Sequence, residues 1–256
     1  MPRSLWNGTV SVGLINVPVK LYSATESRTV RFREVHLPDE AKVEHRRFCS
    51  AEGEEVPYEE VVRGFEVGDG KYVVLSKDEL AAAAGDRAHT IDVDVFVPEG
   101  AIDPIFYEKT YHLGAGAKGA DAHRLLREAL ERTGRVGLGR FTFHNREYLA
   151  AIRPREGVLA LHTMRFADEL VPGSEIEFEA PSRRPAKREV EMARRLVSSL
   201  EEDFDPGKRK DEYREAVLDM IERKAAGKKP RKPKEKPPED APDLMAALEA
   251  SLAGSR

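Results

Sequence analysis

The chain has 256 residues, enough for a substantial hydrophobic core, and its single cysteine, Cys49, excludes an internal disulfide and a multi-cysteine zinc site. The formal net charge of −4 is unevenly distributed: residues 1–182 carry −7, residues 183–236 carry +6 and the last twenty carry −3. This asymmetry predicts a basic C-terminal appendage that binds a polyanion, and it requires any basic surface on the first part to be local.

The first 180 residues are predicted to be mainly strands. Apolar residues alternate in TVSVGLINVPVKLYS, KYVVLS, TIDVDVFVP, GRFTFH, EYLAAIRP, LALHTMRF and EIEFEA. In TIDVDVFV, the alternation predicts one buried face carrying Ile91, Val93, Val95 and Val97, and it favours antiparallel pairing. Strands at this density, separated by Gly, Pro and Asp turns, indicate a barrel or a sandwich.

One helix interrupts the strands, in DAHRLLREALERTG. Asp121 is predicted to cap it and Gly134 to end it. Its apolar stripe contains Leu125, Leu126, Ala129 and Leu130.

The preceding GAGAKG, Gly114 to Gly119, matches the G-x-G-x-x-G pattern of dinucleotide-binding proteins. Its context does not match, because FYEKTYHL before it is half polar and no βαβ repeat surrounds it. A turn is the preferred interpretation. A nucleotide-dependent oxidoreductase is the third and least supported function.

The sequence gives little support for an enzyme or a metal site. His45 and Cys49 are four residues apart, but there is no second close pair of metal ligands. The H-E-x-x-H, G-x-S-x-G and P-loop motifs are all absent from the sequence. The first residues also lack a secretory signal pattern, and no long apolar run is present, so we expect a protein that stays inside the cell and outside the membrane.

After residue 181 the apolar period changes to that of a helix, with a stripe of Met192, Leu196, Leu200 and Phe204. A second helix is predicted after residue 207, ending near Gly227. Its inward residues are predicted to be Tyr213, Val217, Met220 and Ile221. These helices could pack on the strand-rich part, project as an arm or pair with a second subunit.

Residues 224–236 contain seven Lys or Arg and predict a flexible basic tail. The cations after Gly227 are Lys228, Lys229, Arg231, Lys232, Lys234 and Lys236. Beyond them, DLMAALEASL has helical spacing and is predicted to fold on a partner, through Leu244, Met245, Leu248 and Leu252. Whether the tail binds DNA or protein stays open.

A second basic cluster lies in a turn-rich segment and contains Arg28, Arg31, Arg33, Lys42, Arg46 and Arg47. Guanidinium groups suit phosphate oxygens. Interleaved acids such as Glu34 and Asp39 make a solvated hairpin surface an equal alternative from spacing alone.

The opening SLWNGTVSVGLINVPVKLYSATE resembles the start of bacterial Ku proteins. The similarity continues in order through GEEVPYEEVVRGFEVGDGKYVVLS, FYEKTYHL, LLREAL, REYLAAIRP and EMARRLVSSLEEDFDPGKRKDEYREAVLDMIERKAAGK, and covers roughly residues 4–229. The final DLMAALEASL is also similar to a terminal motif of many members. The chain departs from the family at GAGAKG, where a short Pro-Asp turn is commoner, and its tail has fewer lysines than some relatives.

The resemblance implies a mainly β fold, with a seven-stranded barrel core at 1–182, a helical arm at 183–223, a basic tail at 224–238 and a terminal segment at 239–256. It implies a homodimeric ring without cofactor or catalytic activity, which encircles double-stranded DNA ends in non-homologous end joining. An ATP-dependent ligase of the ligase D type is the implied partner, and the bacterial nucleoid in the cytoplasm the implied location. It favours Arg28, Arg31, Arg33, Arg46 and Arg47 as DNA contacts, with Lys20, Arg63, Lys71 and Lys109 as weaker candidates. The alternative is a general nucleoid or RNA-binding scaffold that acts through the tail.

Overall fold

The computed structural model describes residues 3–84, 89–144, 146–179, 183–229, 248–249 and 251. The chain forms two compact units. The first comprises Met1–Ser27 and Glu34–Glu175, and the second comprises Arg28–Arg33 and Ile176–Arg256.

The described residues of the first unit form nine strands. Their bounds are β1 Trp6–Val12, β2 Ile15–Ser23, β3 Gly64–Gly68, β4 Lys71–Val74, β5 Thr90–Pro98, β6 Tyr107–Ala115, β7 Arg135–Phe143, β8 Arg146–Arg155 and β9 Val158–Met164. Helices α1, Lys77–Ala84, and α2, Ala120–Thr133, belong to the same unit, while α3, Lys187–Ser199, and α4, Glu212–Ala225, belong to the second.

Seven of the strands close into a barrel in the order β1-β2-β6-β9-β8-β7-β5, which confirms the predicted fold class. All neighbours pair antiparallel except β1 and β5, which pair in parallel with Thr9 opposite Thr90. The prediction of antiparallel pairing for β5 is therefore confirmed for its neighbour β7 and wrong for its neighbour β1. Strands β3 and β4 form a separate two-stranded hairpin.

The barrel interior holds the main core, where side chains such as Val17, Leu21, Ile91 and Phe141 are fully buried. Helix α2 packs against this core through Leu130. Its buried His123 donates a hydrogen bond from Nε2 to the Leu113 carbonyl oxygen, at 2.8 Å. Because a buried polar group must be hydrogen-bonded, this contact fixes α2 to β6.

A β-bulge in β5 corrects the predicted facing of that strand. The register against β7 shifts between Val93 and Val95. Ile91 and Val93 are buried in the main core, whereas Val97 packs on a second cluster and Val95 is exposed. The extra residue of a bulge reverses the face of every later residue, so the four valine and isoleucine side chains do not share one face.

Three predicted helix features are also corrected. Helix α2 begins at Ala120 after Gly119, so Asp121 lies in its first turn and does not cap it, although Gly134 ends it in the left-handed conformation. Helix α3 ends at Ser199, which places Phe204 outside the helix. In α4 only Val217 of the predicted inward residues is half-buried, while Tyr213, Met220 and Ile221 are exposed.

The segment EIEFEA does not form the predicted strand over the described residues 175–179. Ile176 and Phe178 are both exposed there. Alternation alone does not produce a strand when no neighbouring strand offers backbone partners.

The second apolar cluster contains Val136, Ala151 and Met164, on which Ile102 and Phe106 pack. A polar network beside it includes the buried His162. Arg153 Nε donates to His162 Nε2 at 3.0 Å, so Nε2 is the acceptor and Nδ1 carries the proton toward Thr110 Oγ1, 2.9 Å away. Arg153 also pairs with Glu99, and the network thus connects the 99–106 segment to β8 and β9.

Burial, followed by the nearby charges of Arg153 and Arg155, lowers the pKa of His162 from 6.5 to about 4. The folded protein therefore binds fewer protons at His162 than the unfolded chain between these values. We expect the stability contributed by neutral His162 to be complete above pH 6.5 and to be lost as the pH falls toward 4, by up to about 1.4 kcal/mol per pH unit.

Urea unfolding of the wild type and His162→Gln checks this expectation. The introduced glutamine retains a donor and an acceptor but does not titrate, so the stability difference between the two proteins should shrink from about pH 7 to about pH 5. A difference that is constant with pH would contradict the assigned role.

Candidate nucleic-acid interface

The segment between β2 and β3 carries the predicted DNA-contacting arginines. Over residues 34–57 it forms turns with two isolated bridges, Val35 to Lys42 and Phe48 to Glu55, and nearly all its side chains are exposed. We call residues 34–57 the turn segment. Its backbone is held locally, for example by a hydrogen bond from Cys49 N to Glu54 O at 2.9 Å.

Several acidic side chains of the turn segment are already paired within it. Glu34 lies 2.7 Å from His45 Nε2, and Asp39 lies 2.9 Å from His36 Nδ1. Glu55 lies 3.1 Å from Arg46 Nη1. One predicted DNA-contacting arginine, Arg46, is thus paired with an acid, and the alternative of a solvated hairpin surface is not tested by these contacts.

The arginines of this region differ in their surroundings. Arg31 and Arg33 are exposed and form no ion pair in the described part of the chain. Arg28 is exposed and has an interaction of its own. Arg46 forms an ion pair with Glu55, while the Arg47 guanidinium lies 4.9 Å from the centre of the Tyr58 ring. Arg31 and Arg33 are therefore the strongest candidates for phosphate contacts.

The weaker candidates are exposed but are not all brought together. Lys20 on β2 lies opposite Gly114 of β6, five residues or about 17 Å along that strand from Lys109. The Lys109 ammonium lies 5.4 Å from the ring centre of Tyr111. Arg63 and Lys71 lie at the β3–β4 hairpin, where both are exposed.

The predicted tail and terminal segment are only partly described. Lys228 and Lys229 are exposed after α4. Leu248 is half-buried in a helical stretch. Outside the described residues lie Arg231, Lys232, Lys234, Lys236, Leu244, Met245 and Leu252, so their roles stay predictions.

The apolar stripe predicted for the arm is largely uncovered in the single chain. Met192 and Leu196 are half-buried on α3, whereas Leu200 is 65% exposed and Phe204 is 88% exposed. Apolar surface of this extent is typical of a protein interface.

The β3–β4 hairpin is a second uncovered surface, and the sequence did not predict it. None of its residues is buried: Phe65 is 70% exposed, Tyr72 is 62% exposed, and Val73 and Val74 are about half exposed. The sequence had predicted a strand at KYVVLS, which β4 confirms. A two-stranded hairpin is marginal alone in water, so this element needs a partner surface.

Two of the three glycines of GAGAKG, Gly116 and Gly119, have a packing explanation. A Cβ at Gly116 would lie 2.9 Å from the Pro18 carbonyl carbon, and one at Gly119 would lie 2.7 Å from the Pro18 oxygen. Gly116 N also donates to Pro18 O at 2.8 Å. The loop therefore approaches β2 too closely for larger residues, and this contact explains both glycines without a bound nucleotide.

A family model described as the Ku70/Ku80 beta-barrel domain matches residues 11–192 of this chain. The chain belongs to the Ku family. Among similar proteins is the non-homologous end joining protein Ku of Anaeromyxobacter sp. (strain K), 42% identical over all of this chain and 87% of its own length. The protein of the same name from Mycobacterium tuberculosis (strain H37Rv) is 35% identical over 98% of this chain and 94% of its own length.

A third relative, the Ku protein of Symbiobacterium thermophilum, is 42% identical, and the chain spans only 62% of its length. Ku family proteins are DNA-end-binding scaffolds, so the prediction of a non-enzymatic DNA-binding protein of end joining is confirmed at the level of the family.

Across the described residues, no helix has the length and apolarity to cross a membrane. The same residues contain no group of three His, Cys, Asp or Glu side chains placed to hold a metal ion.

Proposed function

We propose that this Ku chain binds the ends of double-stranded DNA without sequence preference, as a ring-shaped homodimer, in double-strand break repair. The observation that carries the proposal is that Arg31 and Arg33 are exposed and form no ion pair among the described residues. Guanidinium contacts to phosphates position a protein on DNA but read no bases. The relatives' names, which specify non-homologous end joining, support the same function.

Two uncovered apolar surfaces support the homodimer. The β3–β4 hairpin and the stripe around Leu200 and Phe204 expose large side chains that a second copy can bury. Burial of one such side chain contributes about 1.5–3 kcal/mol. We therefore propose both surfaces as subunit contacts, with Met192 and Leu196 continuing the second one.

An acidic first part is compatible with this function. Residues 1–182 carry a net charge of −7. A ring lined by basic residues gains phosphate contacts around the duplex, while acidic side chains elsewhere discourage DNA from binding outside the hole. We propose the bacterial nucleoid in the cytoplasm as the location of this activity.

Replacing Arg31 and Arg33 together with Gln is expected to weaken DNA-end binding equally for all sequences. The slope of log K against log salt should fall in magnitude by roughly 1.8, or about 0.9 for each lost phosphate contact. Fluorescence anisotropy at several salt concentrations measures this slope.

The matched control is Arg124→Gln with Arg127→Gln on α2. These arginines pair with Glu128 and Glu131, at 2.8 and 2.6 Å, and are not proposed to contact DNA. An unchanged slope in the Arg31 and Arg33 variant, or an equal loss in the control, would place the DNA path elsewhere.

We further propose that the two parts of the C-terminal region serve different partners. The basic tail, including Lys228 and Lys229, binds phosphate, whereas the terminal segment 239–256 recruits an ATP-dependent ligase of the ligase D type. Cations suit DNA, and an apolar helical stripe suits a groove on a protein.

Deleting residues 239–256 removes a net charge of −3, so DNA affinity should hold or rise slightly while ligase stimulation falls. Deleting everything from residue 224 should also reduce DNA affinity and its salt dependence, yet preserve the preference for ends. Ligase stimulation by the 1–238 protein equal to that by the full chain would remove the terminal segment from this role.

A further inference from the structure

An apolar groove lies where α2 crosses the end of the barrel, and neither proposed subunit surface uses it. Its volume is about 370 Å³. Strand residues Val12, Ile15 and Phe96 line one side and the α2 residues Leu125, Leu126 and Ala129 line the other. All of them belong to the first unit, so the groove is a feature of the barrel itself.

The groove residues are more exposed than packing of the fold requires. Leu130 and His123 fix α2 to the barrel, yet Leu125 on the same helix is 64% exposed. Ile15 and Phe96 face the same groove and are also exposed, and Leu14 at the adjoining β1–β2 turn is fully exposed. A contiguous exposed apolar surface in a stable barrel is typical of a binding site.

The shape and charge of the groove define what it fits. A helix with apolar residues three and four positions apart can lie alongside α2 and fill it. At the C-terminal end of α2, Arg135 lines the groove and Arg132 is one residue from the lining Thr133. Among the described residues, the ion pairs on α2 involve Arg124 and Arg127 and neither of these two arginines.

The remaining charges of α2 indicate in which orientation a helix would bind in the groove. Glu128 and Glu131 pair with Arg124 and Arg127, but Glu128 also attracts Arg132. Arg135 therefore carries the less compensated positive charge at this end of the groove. Asp121 lies in the first turn of α2, at the opposite end. An antiparallel helix would place acidic residues of its N-terminal turn against Arg132 and Arg135, where opposite charges and opposed helix dipoles both attract.

We propose that this groove binds an amphipathic helix of a protein partner, acidic at its N-terminal end and antiparallel to α2. The site is additional to the DNA-binding, subunit and ligase-recruiting surfaces proposed above. Its lining residues are different from those of the proposed DNA and subunit contacts.

Two synthetic helical peptides of about 16 residues test the proposal with the full-length protein. Both carry the same leucine spacing; one has Glu in its first turn and the other has Lys at the same positions. Anisotropy of the labelled peptides should show binding of the Glu peptide at least about tenfold tighter than the Lys peptide. Leu125→Asp should weaken binding of the Glu peptide by about tenfold or more, because an apolar anchor that the bound peptide would bury is lost.

Matched variants test the charged and the apolar contacts of the groove separately. Arg132→Gln with Arg135→Gln should remove most of the preference for the Glu peptide, while Leu37→Asp, an exposed leucine of the turn segment, should leave peptide binding unchanged. Leu125→Asp should retain wild-type affinity for DNA ends, which shows that the protein is folded. Because this readout is independent of peptide binding, failure of the groove and failure of the proposed DNA function are distinguishable.

Four results would overturn the proposal. They are the absence of binding by the Glu peptide, equal binding of both peptides, full binding by Leu125→Asp, and evidence of a different occupant. A smaller oligomer of Leu125→Asp in sedimentation would assign the groove to a second copy. Peptide affinity raised about tenfold by Leu248→Glu with Leu252→Glu would assign it to the terminal segment of this chain.

Discussion

Linear duplex DNA is expected to compete for this protein roughly a thousandfold better than covalently closed circles of the same sequence, the lower end of the range that separates specific from non-specific binding. A closed ring can load only where the helix has an end. Circles can still contact cations outside the hole, such as those of the basic tail, but only through salt-sensitive, non-specific attraction. Competition binding at physiological salt, with the dimer confirmed by sedimentation, measures the ratio.

Relinearising the circle with a single-site nuclease provides the control, because it restores ends without changing sequence or length. Binding should return to the level of the linear competitor. Equal competition by the two forms would contradict the ring and would favour the alternative of a general nucleic-acid scaffold that acts through the tail.

Replacing both Phe65 and Tyr72 with Asp is expected to convert the dimer into monomers and to abolish retention on DNA ends. Both side chains are mostly exposed in the single chain, so the substitutions should not disturb the barrel. In the dimer each is proposed to be buried, and loss of an aromatic interface anchor costs about 2 kcal/mol or more. Sedimentation at micromolar concentration and end binding check the two parts of the result.

Leu14→Asp is the matched control, because Leu14 is fully exposed at the β1–β2 turn and is not proposed to contact the second subunit. It should remain dimeric and bind ends normally. A dimeric Phe65 and Tyr72 variant, together with an unchanged thermal transition, would show that the hairpin is not a subunit contact.

Much of the barrel could be predicted from local patterns. Alternation located β1, β2, β5, β7, β8 and β9, because each of these strands presents alternate side chains to the barrel core. Gly134 marked the end of α2 because its left-handed conformation suits glycine. Similarity over several ordered segments predicted the family, which the comparisons confirmed.

The same sequence patterns failed where contacts between distant residues determine the local structure. Both EIEFEA and KYVVLS were predicted to be strands, yet the first, with the more regular alternation, forms no strand over residues 175–179, and the second forms part of a hairpin without a buried residue. The bulge between Val93 and Val95 depends on the register against β7, which lies about 40 residues away in the chain.

For the candidate DNA surface too, some features could be predicted from the sequence and others depend on the fold. The sequence by itself determined that arginines and acids are interleaved between residues 28 and 55, and that a basic stretch follows the arm. Only the tertiary structure decided that Glu34, Asp39 and Glu55 have partners while Arg31 and Arg33 form no ion pair in the described residues, and that Leu125 and Phe96 face one groove. Periodicity and composition act between near neighbours and are written in the sequence, whereas charge pairing and surface exposure depend on which distant segments the fold brings within a few ångströms.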